Sequence, residues 1–415
     1  MDHCVHYYRS SIVMEKTILT LALFHIIGSI CGKQLNCQVK DYDGNTLKSE
    51  VSANEWIKTL TACDRDTALI LAAKNGQKEI VSLLLDNGAN VEAMDIDGNT
   101  ALLWAAFKGF KEIALLLIEN GADIEARNSD GNTALTWAAV KGYREIVALL
   151  IENGANVNAT NNTGHTALIL AALNGDENSA SLLVENGANV NATNNDGNTA
   201  MIFAAGNTDG ANVEQRYGVN IVSLLVTRGA DVNSRNNDGE TALIWAAQFG
   251  NEKIASFLIE NGADMEAKDN SGNTALILSA RWAKLAAVKL LIKSGANVNA
   301  VNDDGNTALF MAAVYSNHRL LDVFNGGNNE DQSTELWTGE DGDEDIASLL
   351  LANGADVNVI NKYGNTALMY ALLKENHKIA VLLIKHGADV NTRSRTDGNT
   401  ALMMAAANGN IEVLL

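Results

Sequence analysis

Short Asp-Gly-Asn segments recur along the chain. Of all the sequence patterns, they are the most similar to a metal-binding site in residue type and spacing. One of them is Asp95-Ile-Asp97-Gly98-Asn99. Carboxylate and amide oxygens are calcium ligands, but these segments lack the loop length and the closing bidentate glutamate of a calcium loop. Asn, Asp and Gly together are also typical of tight turns. We therefore predict turns here.

Other chemistry is poorly supported by the residues. The histidines beyond the amino-terminal region fall at different repeat positions without metal-ligand spacing; they are His165, His318, His377 and His386. The four cysteines show no Cys-x-x-Cys pairing. The sequence has no glycine-rich phosphate loop, nucleophile elbow or His-Glu-x-x-His motif. We predict no metal, no cofactor and no catalysis.

Composition and charge narrow the choice of partner. Apolar residues make up 47% of the 415 residues, which is enough for a large core, and there is no proline. Thirty Lys and Arg against fifty Asp and Glu leave a net charge of -20. This charge repels phosphate backbones and anionic lipid. We expect neither nucleic-acid nor peripheral membrane binding, and a charge-steered protein partner should be basic.

The elements that position these residues come from an internal repeat. The tripeptide Thr-Ala-Leu, once Thr-Ala-Met, begins at Thr67, Thr100, Thr133, Thr166, Thr199, Thr241, Thr274, Thr307, Thr366 and Thr400. Most spacings are 33 residues, and a Gly-Ala marker follows in phase. Nine units are complete and a tenth is cut short.

One unit illustrates the structure that the repeat predicts. Thr100 follows a turn and can cap the amino end of a helix. The small side chains of Ala105 and Ala106 let another helix lie close, and Gly109 ends this first helix. Ile113 to Leu117 supply the apolar face of a second helix, which ends at Gly121. A pair of helices this short cannot bury its own apolar face, so the units must stack.

This pattern resembles the ankyrin repeat family. The residues from Asp64 to Leu415 match its Asp-Gly-x-Thr, Ala-Ala and Leu-Leu-x-x-Gly-Ala-Asp-Val-Asn segments. The resemblance implies an all-α solenoid of helix-turn-helix units with protruding hairpin loops, used to bind proteins and lacking catalysis. Ala replaces the family's proline, and apolar residues or Thr replace its histidine. Apolar packing must therefore contribute more between repeats.

An aromatic stripe marks the first helices. The fourth residue after the repeated Thr, and the position one turn further, share a helix face. They hold Trp104, Trp137, Phe203, Trp245, Phe249, Trp282, Tyr315 and Tyr370. The family resemblance places this face along a concave groove where partners bind, and aromatic residues commonly anchor interfaces. The alternative is that the rings only join neighbouring helices.

The amino-terminal region resembles a secretory signal. Residues 17–32 are apolar, follow Lys16 and end in small residues, so 1–32 is interpreted as a signal-like segment, with an uncleaved anchor or a buried core helix as the alternatives. If the signal starts at Met14, residues 1–13 are an extension. Cleavage would leave Cys37 and Cys63 able to pair or to stay free. Residues 33–63 are predicted to be a linker and decayed cap before the array of 64–415.

Two units carry insertions between their first and second helices. They fall within 206–220 and 314–345, and the longer one is acidic, without a basic residue from Glu330 to Asp345. We predict a solvated loop there, either as tolerated growth or as a docking loop for a basic partner. At the carboxyl end, the segment 411–415 stops inside a second helix, which predicts a frayed last unit or a fragment.

These observations predict an exported, periplasmic or secreted, monomeric repeat array that binds partner proteins through its concave face and hairpin tips. A second reading is a structural spacer or scaffold of the cell envelope, anchored to the membrane by residues 17–32. A hidden enzyme in the acidic insertion is disfavoured, because a loop alone does not build a site.

Overall fold

The structure of the chain is a computed structural model, which describes residues 57–58, 60–206, 216–314 and 342–407. Several predictions fall outside these ranges and stay predictions. They concern the signal-like segment 17–32, its extension 1–13, Cys37, most of both insertions, Tyr315, His318 and residues 408–415. Cys63 is described, and it is exposed with a free thiol.

The chain divides into two compact units, residues 1–189 and 190–415. In the described part of the first unit the helices are α1 Ala62–Lys74, α2 Lys78–Asp86, α3 Ala101–Lys108, α4 Lys111–Glu119, α5 Ala134–Lys141, α6 Arg144–Glu152, α7 Ala167–Leu173 and α8 Glu177–Glu185. Odd-numbered helices are the first helices of their repeats, and even-numbered ones are the second.

The second unit continues the same alternation of helices. Its described helices are α9 Ala200–Gly206, α10 Arg216–Thr227, α11 Ala242–Phe249, α12 Glu252–Glu260, α13 Ala275–Arg281, α14 Leu285–Lys293, α15 Ala308–Val314, α16 Gly342–Ala352, α17 Ala367–Leu373, α18 His377–Lys385 and α19 Ala401–Ala407. The described ranges contain no strand, only isolated bridges such as that between Thr160 and Thr166. The predicted all-α fold is confirmed.

The repeated threonines cap the first helices, as predicted. The hydroxyl of Thr100 accepts a hydrogen bond from the backbone N–H of Leu103 at 3.3 Å. The same bond forms at Thr133, Thr166, Thr199, Thr241, Thr274, Thr307, Thr366 and Thr400. A threonine cap satisfies one of the backbone donors that a helix start leaves open, which fixes where each first helix begins.

The first repeat departs from this rule. Helix α1 begins at Ala62 and is capped by Thr61, whose hydroxyl accepts from the backbone N–H of Asp64. Thr67 lies inside the helix and donates to the carbonyl of Cys63. Helix α1 therefore crosses the predicted boundary between the cap and the array at residues 63 and 64.

Glycine ends several of the first helices through the left-handed conformation. Gly109 closes α3 with a φ of 86°, which a side chain makes unfavourable. At the equivalent places after α13 and α17, Ala283 and Glu375 adopt φ values of 53° and 59°. Backbone strain is therefore concentrated at these two non-glycine residues of the second unit.

Small and branched apolar residues form the core of each unit. Ala105 and Ala106 are fully buried where α3 packs against its neighbours α1 and α5, and Ile113 and Leu117 of α4 are buried against α3. In the second unit, first helices pack on one another in the same way. Each repeat therefore buries its apolar face mainly against the next, as a stacked array requires.

Both insertions lengthen a second helix. Helix α10 has 12 residues and α16 has 11, whereas α12 and α14 each have 9. The prediction of a solvated loop is therefore wrong for residues 342–345, which form the first turn of α16.

The hairpins between repeats form two sets of hydrogen bonds. Backbone N–H groups of one tip donate to carbonyls of the preceding tip, as from Ser129 to Asp97 at 2.9 Å. Beside them runs an asparagine ladder, in which a side-chain amide donates to the amide oxygen of the preceding repeat at 2.8 to 3.0 Å. Its described pairs are Asn128–Asn99, Asn161–Asn132, Asn236–Asn198, Asn302–Asn273 and Asn361–Asn306. Polar contacts thus join repeats alongside the expected apolar packing.

The asparagine ladder is interrupted near the end of the second unit. The Oδ1 atom of Asn365 is buried without a hydrogen-bond partner. Ser394 occupies the place of the next asparagine, since the backbone N–H of the following Arg395 bonds to the preceding tip. Asn365 and Ser394 line the same pocket of about 300 Å³, so there is room for a longer side chain.

The variant Ser394→Asn is expected to stabilise the second unit by about 1 kcal/mol, because its amide can donate to the stranded oxygen of Asn365. The measurement is the urea midpoint of unfolding. Ser394→Ala is the matched control, since it removes the hydroxyl and supplies no donor. If both variants have the same midpoint, the unpaired oxygen of Asn365 does not lower the stability of the second unit.

No helix within the described ranges is long and apolar enough to span a bilayer.

Candidate functional site

The predicted aromatic stripe lies on the first helices of both units. Trp104, Trp137, Phe203, Trp245 and Tyr370 are each half-buried within or beside these helices. Phe249, the last residue of α11, and Trp282, which follows α13, are 38% and 42% exposed. Because none of these seven rings is fully buried, all retain a surface that a partner could touch.

In the first unit, the rings form a connected edge-to-face cluster. Trp104 and Phe107 lie 5.7 Å apart between ring centroids at an interplanar angle of 88°. Phe107 of α3 then meets Trp137 of α5 at 4.8 Å and 83°. Edge-to-face contacts are favourable because the positive edge of one ring meets the negative face of another. The cluster therefore joins two neighbouring repeats while remaining partly exposed.

The second unit repeats this arrangement with different rings. Phe203 of α9 lies 5.8 Å from Trp245 of α11, and Trp245 lies 5.8 Å from Phe249. Further along the unit, Phe310 of α15 meets Tyr370 of α17 at 4.7 Å. The rings of the stripe therefore join neighbouring helices and remain partly exposed to solvent.

Two indoles are oriented by carboxylates from the hairpins. The Nε1 atom of Trp104 donates to Asp95 at 2.8 Å, and that of Trp245 donates to Glu240 at 2.7 Å. Burial raises the pKa of Asp95, but hydrogen bonds from the Asn99 backbone and the Trp104 indole lower it more, so the net pKa lies below its usual value. Asp95 therefore stays ionised at neutral pH and holds the Trp104 ring in place.

Lysines lie over the rings of the first unit. The Nζ atom of Lys74, from α1, is 3.8 Å from the Trp104 ring centroid. Those of Lys141 and Lys108 are 4.5 Å and 5.4 Å from the Phe107 centroid. Together with the rings they form what we call the lysine–aromatic face, defined by Lys74, Trp104, Phe107, Lys108, Trp137 and Lys141. Cations contributed by α1, α3 and α5 thus meet over the rings of α3.

Phe107 and the three lysines were not among the predicted site residues. Phe107 stands three residues after Trp104, a spacing that places both on one helix face and that could have indicated it. The lysines occupy the ends of first helices, where cations are common because they offset the negative end of the helix dipole. Nothing in the residue types alone marks them as ring contacts.

The residues considered for metal binding take part in local structure. The Oδ1 atom of Asp95 accepts from the backbone N–H groups of Asp97 and Asn99, which confirms the predicted turn. His165 pairs with Thr163, and His386 pairs with the carbonyl of Leu382. Across the described ranges, no three His, Cys, Asp or Glu side chains are grouped closely enough to hold a metal ion.

Sequence comparison adds to this geometry. A model of ankyrin repeats in three copies matches residues 39–128, 191–269, 210–301, 262–325 and 337–415. A second, of ankyrin repeats in many copies, matches residues 111–151 and 135–184. The chain belongs to the ankyrin repeat family. Ankyrin repeats are generally protein–protein interaction modules, and proteins built from them are typically non-catalytic. No curated protein matches the chain.

Proposed function

We propose that this ankyrin repeat protein binds a partner protein through the faces of its first helices and through its hairpin tips, without catalysis of its own. The observation that carries the proposal is the set of partly exposed aromatic rings held in defined orientations. Aromatic side chains are frequent energetic centres of protein interfaces. Rings already fixed by edge-to-face contacts and by Asp95 or Glu240 lose little freedom on binding.

The hairpin tips support a second contact surface. In the hairpin between α2 and α3, Ile96 is 99% exposed and Met94 is 56% exposed. The backbone bond from Ser129 to Asp97 ties this tip to the next one. An exposed apolar side chain on a backbone that is already ordered can enter a partner at a small entropic cost.

We further propose that the protein is exported, periplasmic or secreted, and that a basic partner is favoured at long range. The signal-like residues 17–32 support export, and the net charge of -20 supports the preference for a basic protein. Amino-terminal sequencing of the mature protein checks export, since a first residue near position 33 is expected. A first residue of Met1 or Met14, with the protein held in the membrane fraction, favours the anchored spacer instead.

Capture of a partner from native extract tests the binding surface. We expect the variant Phe249→Ser with Trp282→Ser to recover the partner at least about tenfold less than the parent, because two exposed anchors are lost. Exposed side chains are chosen because truncating the half-buried rings would also loosen the repeats.

The matched control for this capture is Leu115→Ser, which removes an equally exposed apolar side chain from the second helix α4. Recovery should match the parent. Both variants must keep the helical circular dichroism of the parent. If the ring variant recovers as much partner as the control, binding does not use the first-helix face of the second unit.

A further inference from the structure

We infer that the lysine–aromatic face of the first unit is a docking surface for an acidic peptide segment of a partner protein. This inference rests on the proposed protein-binding function and gives a chemistry to one part of it. It also differs from the expectation drawn from net charge, because the local charge on this face is opposite to that of the whole chain.

None of the three lysines forms an ion pair with a carboxylate of the described residues. The chain carries 50 Asp and Glu against 30 Lys and Arg, so acidic side chains are in surplus. Elsewhere in the described residues a lysine does form such a pair, that of Lys362 with Asp304 in the second unit. Lys108 and Lys141 are exposed, and Lys74 is half-buried. The face therefore presents cations that no carboxylate of the described residues neutralises.

The rings hold the lysine ammonium groups in place but do not use all of their N–H donors. An ammonium group over an aromatic face is attracted by the ring quadrupole, most strongly over tryptophan. Each ammonium has three N–H donors, and a ring on one side leaves donors directed elsewhere. The Nζ atom of Lys74 lies 3.8 Å from the Trp104 centroid. A carboxylate arriving from a partner would meet donors that are already positioned.

The carboxylate that holds the Trp104 indole forms no salt bridge with these lysines. Asp95 uses its oxygens for the Trp104 indole and for the N–H groups of Asp97 and Asn99. It therefore orients the ring and leaves the ammonium of Lys74 without a salt bridge. Between the lysines the aromatic edges offer apolar contact, so the surface suits a segment that combines acidic with apolar side chains.

The second unit differs from the first at the same repeat position. Lys108 and Lys141 stand eight residues after their capping threonines, where the second unit has Phe249, Trp282 and, near its end, Lys374. The face at α11 and α13 is therefore aromatic where that of the first unit is cationic. An acidic segment should therefore bind the face of the first unit more tightly than that of the second.

A protein segment fits this face better than a phosphate backbone or a lipid surface. Both of those are extended arrays of negative charge, so they would also bring phosphates against the rest of a chain whose net charge is -20. A short peptide places its carboxylates at the lysines alone.

The test is direct binding of a short fluorescein-labelled peptide of alternating glutamate and leucine to the full chain, measured by fluorescence anisotropy. We expect binding that weakens as salt is added, since exposed ion pairs are screened. The variant Lys74→Gln, Lys108→Gln, Lys141→Gln should bind about tenfold more weakly. The corresponding three-arginine variant should bind like the parent, because it keeps both charge and ring contact.

The matched control removes the same charge elsewhere. Lys78→Gln, Lys111→Gln, Arg144→Gln changes the first residues of α2, α4 and α6, and it should leave peptide binding unchanged. Equal losses in the two glutamine variants would overturn the inference, because they would show a general charge effect. A lysine–leucine peptide whose binding weakens as much in the Lys74, Lys108 and Lys141 glutamine variant would overturn it, as would tighter binding of single-stranded DNA or of phosphatidylserine vesicles.

This outcome is separable from that of the proposed function. If the acidic peptide fails to bind while partner capture still depends on Phe249 and Trp282, the docking inference is wrong and protein binding stands. If the peptide binds with the expected variant pattern, the chemistry of the first-unit face is supported whether or not a natural partner has been captured.

Discussion

Replacing Gly131 with alanine is expected to destabilise the first unit by about 3 kcal/mol, which combines left-handed strain with a steric clash. Gly131 has a φ of +75°, and a Cβ atom there would lie 2.8 Å from the backbone nitrogen of Asn162. That nitrogen donates to the carbonyl of Asp130 at 2.9 Å and joins two hairpin tips. The alanine would therefore both strain its own hairpin and push away the next one.

The same loop supplies the matched control for this variant. Gly121 has a φ of +85°, but a Cβ atom at this position meets nothing within 4 Å. Gly121→Ala should cost only the strain, about 1 to 2 kcal/mol. Urea unfolding of both variants, followed by circular dichroism, gives the difference. Equal costs would mean that the hairpin tips adjust freely and that the bond to Asp130 contributes nothing measurable.

The fold of this chain could be predicted because its local signals repeat in phase. Thr100 caps a helix, Gly109 ends it, and Ala105 and Ala106 let the next helix approach, and each of these roles depends on a few neighbouring residues. The exception at α1 has a local cause as well. Thr61 and Asp64 form a capping box ahead of Thr67, so the helix starts earlier.

The candidate site could be predicted only in part, because contacts between repeats depend on residues far apart in the chain. The positions of the rings follow from helical spacing, and all seven described rings lie on first helices or at their ends. Whether a ring joins helices or faces solvent depends on what the neighbouring repeat places against it. Phe107 meets Trp137 across two repeats, and Lys74 reaches Trp104 from the repeat before.

The asparagine ladder was missed for a related reason. Asn99 and Asn128 each lie in a segment typical of turns, and that role accounts for them within one repeat. Their bond to each other spans 29 residues and becomes visible only when the hairpins are stacked. An asparagine at both places in successive repeats is the signal that could have indicated it.

Breaking one rung of this ladder gives the second large expected effect. Asn302 is 8% exposed, donates to Asn273 at 2.8 Å and accepts from the backbone N–H groups of Asp304 and Asn306 at 3.0 and 2.9 Å. Asn302→Ala removes all three bonds and leaves the buried amide oxygen of Asn273 without this hydrogen-bond donor. We expect a loss of about 3 kcal/mol in the free energy of unfolding of the second unit.

Hydrogen exchange separates the two parts of this effect. The amides of Asp304 and Asn306 should lose protection in Asn302→Ala, because their acceptor is gone. Asn302→Asp keeps that acceptor and removes only the donor to Asn273. It should leave the two amides protected while still lowering the urea midpoint, since a carboxylate oxygen then faces the amide oxygen of Asn273.

A double-mutant cycle then isolates the bond between repeats. Asn273→Ala and Asn302→Ala should be less costly together than the sum of their separate effects, by about 1 kcal/mol, because the shared bond can be lost only once. Additive costs would mean that the ladder contributes through each hairpin alone. In a stacked array stability depends on both repeats and interfaces, so a coupled result would place asparagine bonds beside apolar packing as a source of cohesion between repeats.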